Sequence, residues 1–230
     1  MQNIGGKEMM IMTKAAIFDL DGTLWDATQV ALPAFREVFA ALCLPIPTDS
    51  VLSETLGYPL HEIWPMILPK DRLNLMPQAN EMMAEKELRI LHETNPRPFP
   101  GVEDTLKYIR ALGYKTYICS NCDADYLKFV PDHLGLSALF DARYCAGQFH
   151  NLTKTEIVAI IKTRHGITEG YMIGDRFHDM QAGKANSLFS IGCTFGTGRP
   201  EELQGANYVI TSFPALVDIF ALDGQVPTDK

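Results

Sequence analysis

The chain has 230 residues, 47% of them hydrophobic and 21% charged. That excludes a disordered, collagen-like or coiled-coil protein and suffices for one large domain, or one domain with a smaller insert. Its 20 basic and 28 acidic side chains leave a net charge of −8, which disfavours bulk binding to nucleic acid or an anionic membrane. Residues 1–13, with the short run Met9-Met10-Ile11-Met12, read as a loose leader, since four apolar residues are too few for a signal peptide. Ala15-Ala16-Ile17-Phe18 has the pattern of a buried strand, and Asp19-Leu20-Asp21-Gly22-Thr23 follows it directly. From residue 26 to about 95 there is no strand pattern. Residues 31–42 are amphipathic, Pro45 and Pro47 break that stretch, and 56–68 and 73–91 carry two more helical patterns. This is too much helix for an ordinary crossover, so 26–95 is expected to be an inserted helical cap. Pro96-Arg97-Pro98-Phe99-Pro100-Gly101 forms the stiff return linker.

Beyond the linker the chain alternates. Helical periods are expected at 102–112, 124–134, 153–162, 179–185 and 214–220. Strands are expected at 114–119, 143–145, 171–173, 189–193 and 208–210. Alternation of this kind predicts an α/β fold, a doubly wound parallel sheet built from residues 14–25 and 96–222, with 223–230 as a flexible tail. No apolar run approaches the roughly 18–20 residues of a membrane helix. Five cysteines, an odd count, argue against a secreted disulfide framework, so a cytoplasmic location is expected.

Four features fall at expected C-terminal strand ends, where such sheets bind ligands. They are Asp19 with Asp21; Ser120-Asn121; Lys154, which opens a helix after the 143–145 strand; and Gly174-Asp175 with Asp179. Each has an ordinary alternative: a turn, a helix cap, a solvated lysine, or helix N-terminal acids. Their shared position favours one crevice. Like charges ~4 Å apart repel by about 4 kcal/mol at an effective dielectric near 20, so four gathered carboxylates call for a cation. Mg²⁺, a hard ion held by carboxylates, water and phosphate, fits that need, and Lys154 adds positive charge.

In these motifs and their order the chain resembles the haloacid dehalogenase-like hydrolases, in particular the Mg²⁺-dependent, helical-capped phosphatases of the phosphoglycolate phosphatase type. The match runs from Ala15 to about Phe220. The resemblance implies a doubly wound core with a cap inserted after the first motif. It implies Asp19 as nucleophile, Asp21 as general acid and then base, Ser120 and Asn121 as substrate-binding, and Lys154 as the residue holding Asp19. It further implies Mg²⁺ on Asp19, the Asp21 backbone carbonyl and Asp175, with Asp179 in the outer shell. The expected substrate is a small phosphorylated metabolite; the expected assembly is a monomer or homodimer without nucleic acid or membrane. Asp21 argues against the dehalogenase and phosphonate-hydrolase branches, whereas the phosphomutase branch keeps every motif and stands as the alternative. Where many relatives have Pro after the motif lysine, this chain has Thr155.

Two rivals come from other classes. Cys119-Ser120-Asn121-Cys122 has redox spacing, but it lies mid-chain and spans the Ser the phosphatase needs. A non-catalytic binding protein on this scaffold has no need of Asp19 and Asp21 together. Within the cap, Glu54-Thr55-Leu56-Gly57-Tyr58 and His61 are the candidates to face the crevice, although a lone His61 is more often a surface residue. Trp64 and the stretch 76–83 are expected to be cap core. Arg176 and His178 are expected to be structural.

Overall fold

The computed structural model describes residues 13–150 and 152–223, so the expected leader and tail lie outside the described residues apart from Thr13 and Asp223. Six parallel strands form one sheet: β1 (Thr13–Phe18), β2 (Lys115–Ser120), β3 (Ala142–Cys145), β4 (Ile167–Gly174), β5 (Phe189–Cys193) and β6 (Tyr208–Ile210). Their order is β3-β2-β1-β4-β5-β6, so the chain winds outward from β1 to β3, crosses back, and winds the other way from β4. The direction reverses between β1 and β4, the place where a doubly wound sheet opens a crevice at its carboxyl edge.

Alternation along β1 decides the layers. Ala15 and Ile17 pack on one face with Ile157, Val158 and Ile161 of α7 (Lys154–His165) and Ala182 of α8 (Phe177–Ala185). Ala16 and Phe18 pack on the other with Leu106 and Ile109 of α5 (Val102–Ala111), Leu127 and Val130 of α6 (Ala124–His133), and Phe220 of α9 (Leu216–Asp223). A strand buried on both faces must be apolar throughout, which is why it reads as an unbroken apolar run.

Between β1 and α5 lie four α-helices: α1 (Thr28–Ala41), α2 (Asp49–Thr55), α3 (Leu60–Ile67) and α4 (Met76–Thr94). Trp64 is their central side chain, fully buried, edge-on to Phe35 and near Phe39, with its indole N–H donated to Asn80 at 2.5 Å. The two connections to the sheet run side by side: Trp25 and Pro98 form an antiparallel bridge, and Phe99 N donates to Leu24 O at 3.0 Å.

Two expectations for this stretch need correction. A helix over 56–68 does not form as one piece: Leu56 turns extended and Gly57 has φ +89°, so α3 starts only at Leu60, after Pro59. The 73–91 pattern splits likewise into a 3₁₀ turn, Lys70–Leu75, and α4. Among the described residues no helix is long and apolar enough to cross a membrane.

Candidate active site

β1 delivers Asp19 and Asp21 to the carboxyl edge of the sheet. Asp19 N donates to Ile173 O at 2.8 Å, which keeps the first residue past the strand in sheet register beside β4. The chain then turns at Gly22, φ +78°, where Gly22 N donates to Trp25 O at 2.9 Å. A Cβ at Gly22 would lie 2.4 Å from an Asp175 oxygen, so both the conformation and the approach of Asp175 require glycine.

β4 ends at Gly174 and delivers Asp175, which is fully buried. Its Oδ2 accepts from Thr197 N (2.7 Å), Thr197 Oγ1 (3.1 Å) and Gly198 N (3.2 Å), and its Oδ1 accepts from Thr23 Oγ1 (3.2 Å). Asp179 sits in the first turn of α8; its Oδ2 accepts from Arg176 N at 3.0 Å. Lys154 is the first residue of α7, whose start is fixed by a capping box between Thr153 and Glu156. The lysine is buried, with Nζ 2.9 Å from Asp19 Oδ1 and 2.7 Å from Asp179 Oδ1. Ser120 ends β2 and is also buried; its Oγ accepts from Cys122 N at 3.2 Å. Asn121 Nδ2 donates to Gly57 O at 2.7 Å, tying the strand end to the loop between α2 and α3.

The electrostatics follow from burial. Burial pushes the Asp19 carboxyl up to about 6 against the pull of Lys154, with Asp179 adding to the rise. Burial and the Asp19 charge likewise push Asp175 up to about 6, although the Thr197 and Gly198 amides hold it down. Asp179 is raised by burial as well. Burial acts to lower Lys154, yet Asp179 and Asp19 hold it above its ordinary value, so it stays charged. Asp21 is pushed up to about 7 by burial and by Asp19, while its Oδ1 accepts from Trp25 Nε1 at 2.9 Å and Tyr126 OH at 3.0 Å.

Asp19, Asp175 and Asp179 each offer an oxygen within 4.8 Å of the others. Three carboxylates against one lysine leave the site short of positive charge. Among the described residues Asp19 Oδ2 is buried and without a hydrogen-bond partner, so it is the atom that a cation would complete. Both Asp179 oxygens are already engaged, by Lys154 and by Arg176 N. A hard divalent ion suits this all-oxygen donor set.

Other side chains at the site were not anticipated from the sequence. Tyr126 and Trp25 hold Asp21, and Thr197 with Gly198 cradles Asp175. The one usable signal was Gly196-Thr197-Gly198, a glycine-flanked loop just past β5. Arg176 is buried and fully engaged: Nε donates to Glu202 at 2.8 Å, Nη2 to Glu54 O at 3.3 Å, Nη1 to Leu56 O, and the guanidinium lies over the Tyr58 ring at 4.9 Å. His178 sits edge-on to Tyr58, and burial lowers it to about 4, so it is neutral. Leu56, Gly57 and Tyr58 line a cavity that Asp19, Asp21, Ser120 and Asn121 also line, whereas His61 is exposed. Met83, expected as cap core, is buried and lines the same cavity. The cysteines are free, and burial pushes the Cys119 and Cys122 thiols up, away from reactive thiolates.

The family model of the haloacid dehalogenase-like hydrolases matches residues 16–193. A phosphoglycolate phosphatase of Agrobacterium fabrum is 26% identical over 212 residues, covering 89% of this chain and 91% of its own. A 5'-nucleotidase of Pseudomonas aeruginosa is 25% identical over 191 residues, covering 82% and 86% respectively. Among solved structures, a haloacid dehalogenase-like hydrolase of Streptococcus pneumoniae superposes with a TM-score of 0.78 at 23% identity, over 91% of this chain and 98% of that one, which shows a common fold.

Proposed function

This chain belongs to the haloacid dehalogenase-like hydrolases, and from that premise we propose that it is a Mg²⁺-dependent phosphatase hydrolysing a small phosphomonoester through an aspartyl-phosphate. The observation that carries the reading is the pairing of two differently tuned carboxyls at one strand end. Asp19 is held by a lysine at 2.9 Å, and Asp21, two residues on, sits in a neutralising environment. We assign residues 26–95 as a cap over a core of 14–25 and 96–222.

Asp19, the Asp21 backbone carbonyl and Asp175 would hold the Mg²⁺, with Asp179 in the outer shell. When bound, the ion offsets the negative charge of the carboxylates and of the phosphoryl oxygens. The remaining chemistry belongs to the chain. The phosphoryl group is bound by Ser120 Oγ and Asn121 at the end of β2, with the Lys154 charge nearby. The Asp19 carboxylate attacks phosphorus, a new P–O bond forms, and the ester P–O bond breaks. Asp21, pushed up to about 7, keeps a proton near neutral pH and passes it to the leaving oxygen. The Asp21 carboxylate so formed then takes a proton from water. The resulting hydroxide attacks phosphorus, the bond to Asp19 breaks, and inorganic phosphate leaves. Tyr126 and Trp25 fix the Asp21 carboxyl, so both proton transfers use one position.

The experiment is phosphate release from p-nitrophenyl phosphate and a panel of phosphomonoesters, with Mg²⁺ and with EDTA. The expected result is turnover that requires Mg²⁺ and needs no bisphosphate activator. Full activity in EDTA contradicts the metal site. Isomerisation of a sugar phosphate faster than its hydrolysis transfers the assignment to a phosphomutase.

A further inference from the structure

The cavity that begins at Asp19 continues between sheet and helices, and its chemistry is uneven. Ala31, Phe35, Leu56, Ile63 and Met83 give it an apolar wall. Asp19, Ser120 and Asn121, where the phosphoryl group is placed, line it together with Asp21 and Tyr126. Two further carboxyls line it, Glu87 of α4 and Asp123 just before α6.

Glu87 is half-buried, and among the described residues no hydrogen bond or ion pair engages it. Burial, with the Asp21 and Asp123 charges, pushes it up to about 8. The cavity does not open toward positive charge either. Glu87 also lines an adjoining depression between α4 and α6, whose other charged residues are Asp123 and Asp125. Among the described residues, no lysine, arginine or histidine lines the cavity or this depression.

We propose that Glu87 is the specificity-determining residue of the cavity, and that the preferred substrate is a phosphomonoester whose alcohol part carries a protonated amine on a short apolar body. This rests on the phosphatase reading and deepens it. The amine reaches Glu87 while the phosphoryl group lies at Asp19, and the methylenes between them lie along the apolar wall. Phosphoesters of hydroxy acids, 2-phosphoglycolate among them, would bring a carboxylate toward Glu87 and Asp123, where among the described residues no basic side chain lines the cavity to receive it. A protonated amine lets Glu87 release its proton and form an ion pair, whereas a carboxylate gains no such pair, and specificity is the difference between the two. Here the chain parts company with the name borne by its relative from Agrobacterium fabrum.

The test compares kcat/KM at saturating Mg²⁺ for O-phosphoethanolamine, 2-phosphoglycolate and the uncharged-body reference p-nitrophenyl phosphate. Wild-type protein should favour O-phosphoethanolamine over 2-phosphoglycolate by at least ~10-fold, the size of one hydrogen bond to a charged group. Glu87→Gln should lower the ratio of O-phosphoethanolamine to p-nitrophenyl phosphate by about 10–100-fold, and Glu87→Lys should reverse the preference toward 2-phosphoglycolate. A wild-type enzyme that hydrolyses p-nitrophenyl phosphate yet prefers 2-phosphoglycolate overturns this inference alone. So do Glu87 variants with unchanged ratios. No hydrolysis of any ester by folded wild-type protein overturns the phosphatase reading beneath it. The wild-type comparison stands even where a Glu87 variant does not fold.

Discussion

Replacing Lys154 by Met removes the cation between two buried carboxylates while keeping most of the side-chain volume. Lys154 Nζ is 2.9 Å from Asp19 and 2.7 Å from Asp179, and all three side chains are at most 2% exposed. At an effective dielectric near 20 each attraction is about 6 kcal/mol, much of it offset by the cost of taking the charges out of water. Removing one partner of a buried pair typically costs about 3–5 kcal/mol. In a chain of this size each kcal/mol moves the melting point by about 2–4 °C. Metal-free Lys154→Met should therefore melt about 6–20 °C below the parent at pH 8. At pH 5 the penalty should shrink, because Asp19 lies at about 6 even with Lys154 present and is protonated there. Differential scanning calorimetry in chelator at both pH values reads the effect. Equal melting points at pH 8, or a larger loss at pH 5, would refute the picture of a buried lysine neutralising Asp19 and Asp179.

Metal-free protein should lose stability as pH rises from 5 to 8. Asp19 and Asp175 at about 6 and Asp21 at about 7 hold protons that the unfolded chain, at 3.8, has already released. Mg²⁺ should raise the melting point more at pH 8 than at pH 5; an opposite pH trend removes the basis for metal binding at these acids. Arg176→Ala should cut the tie between α8 and the segment 54–58, costing about 1–3 kcal/mol and speeding amide exchange at Leu56 and Tyr58. Unchanged exchange there would show the arginine to be dispensable. Replacing Cys119 and Cys122 together by Ala should leave most phosphatase activity in folded protein, since buried, protonated thiols have no part in the steps above. Complete loss, or efficient disulfide reduction by the parent, would revive a redox role.

Sequence alone revealed the doubly wound sheet because its strands are buried apolar runs. The bounds of β5 and β6 match the expected ones, and the four motifs are local patterns at strand ends. β4 is a useful exception. The apolar run 171–173 marks only the part flanked on both sides, by β1 and β5, whereas Ile167, Glu169 and Gly170 extend the strand where β1 alone pairs with it, across a register shift at Thr168. α2 escaped notice because seven residues with Leu52 as the one large buried side chain carry too little periodicity. The supports of the site were hidden for another reason. Tyr126 reaches Asp21 across 105 residues, and Glu87 stands in what reads as the polar side of a cap helix. Such juxtapositions are made by packing, and no spacing in the chain encodes them.

Asp19 is assigned as nucleophile and Asp21 as acid and base, and one experiment separates them. Asp21→Asn and Asp19→Asn proteins are mixed with p-nitrophenyl phosphate and Mg²⁺, quenched rapidly, and weighed intact. p-Nitrophenolate leaves without a proton, so Asp21→Asn should still form the aspartyl-phosphate. It then loses the base for the second step, a contribution of ~10²–10⁴-fold. The predicted result is a burst near one equivalent with a phosphoryl adduct on Asp21→Asn, and neither burst nor adduct on Asp19→Asn. A phosphoryl adduct on Asp19→Asn would contradict the central claim, because the nucleophile would then lie elsewhere.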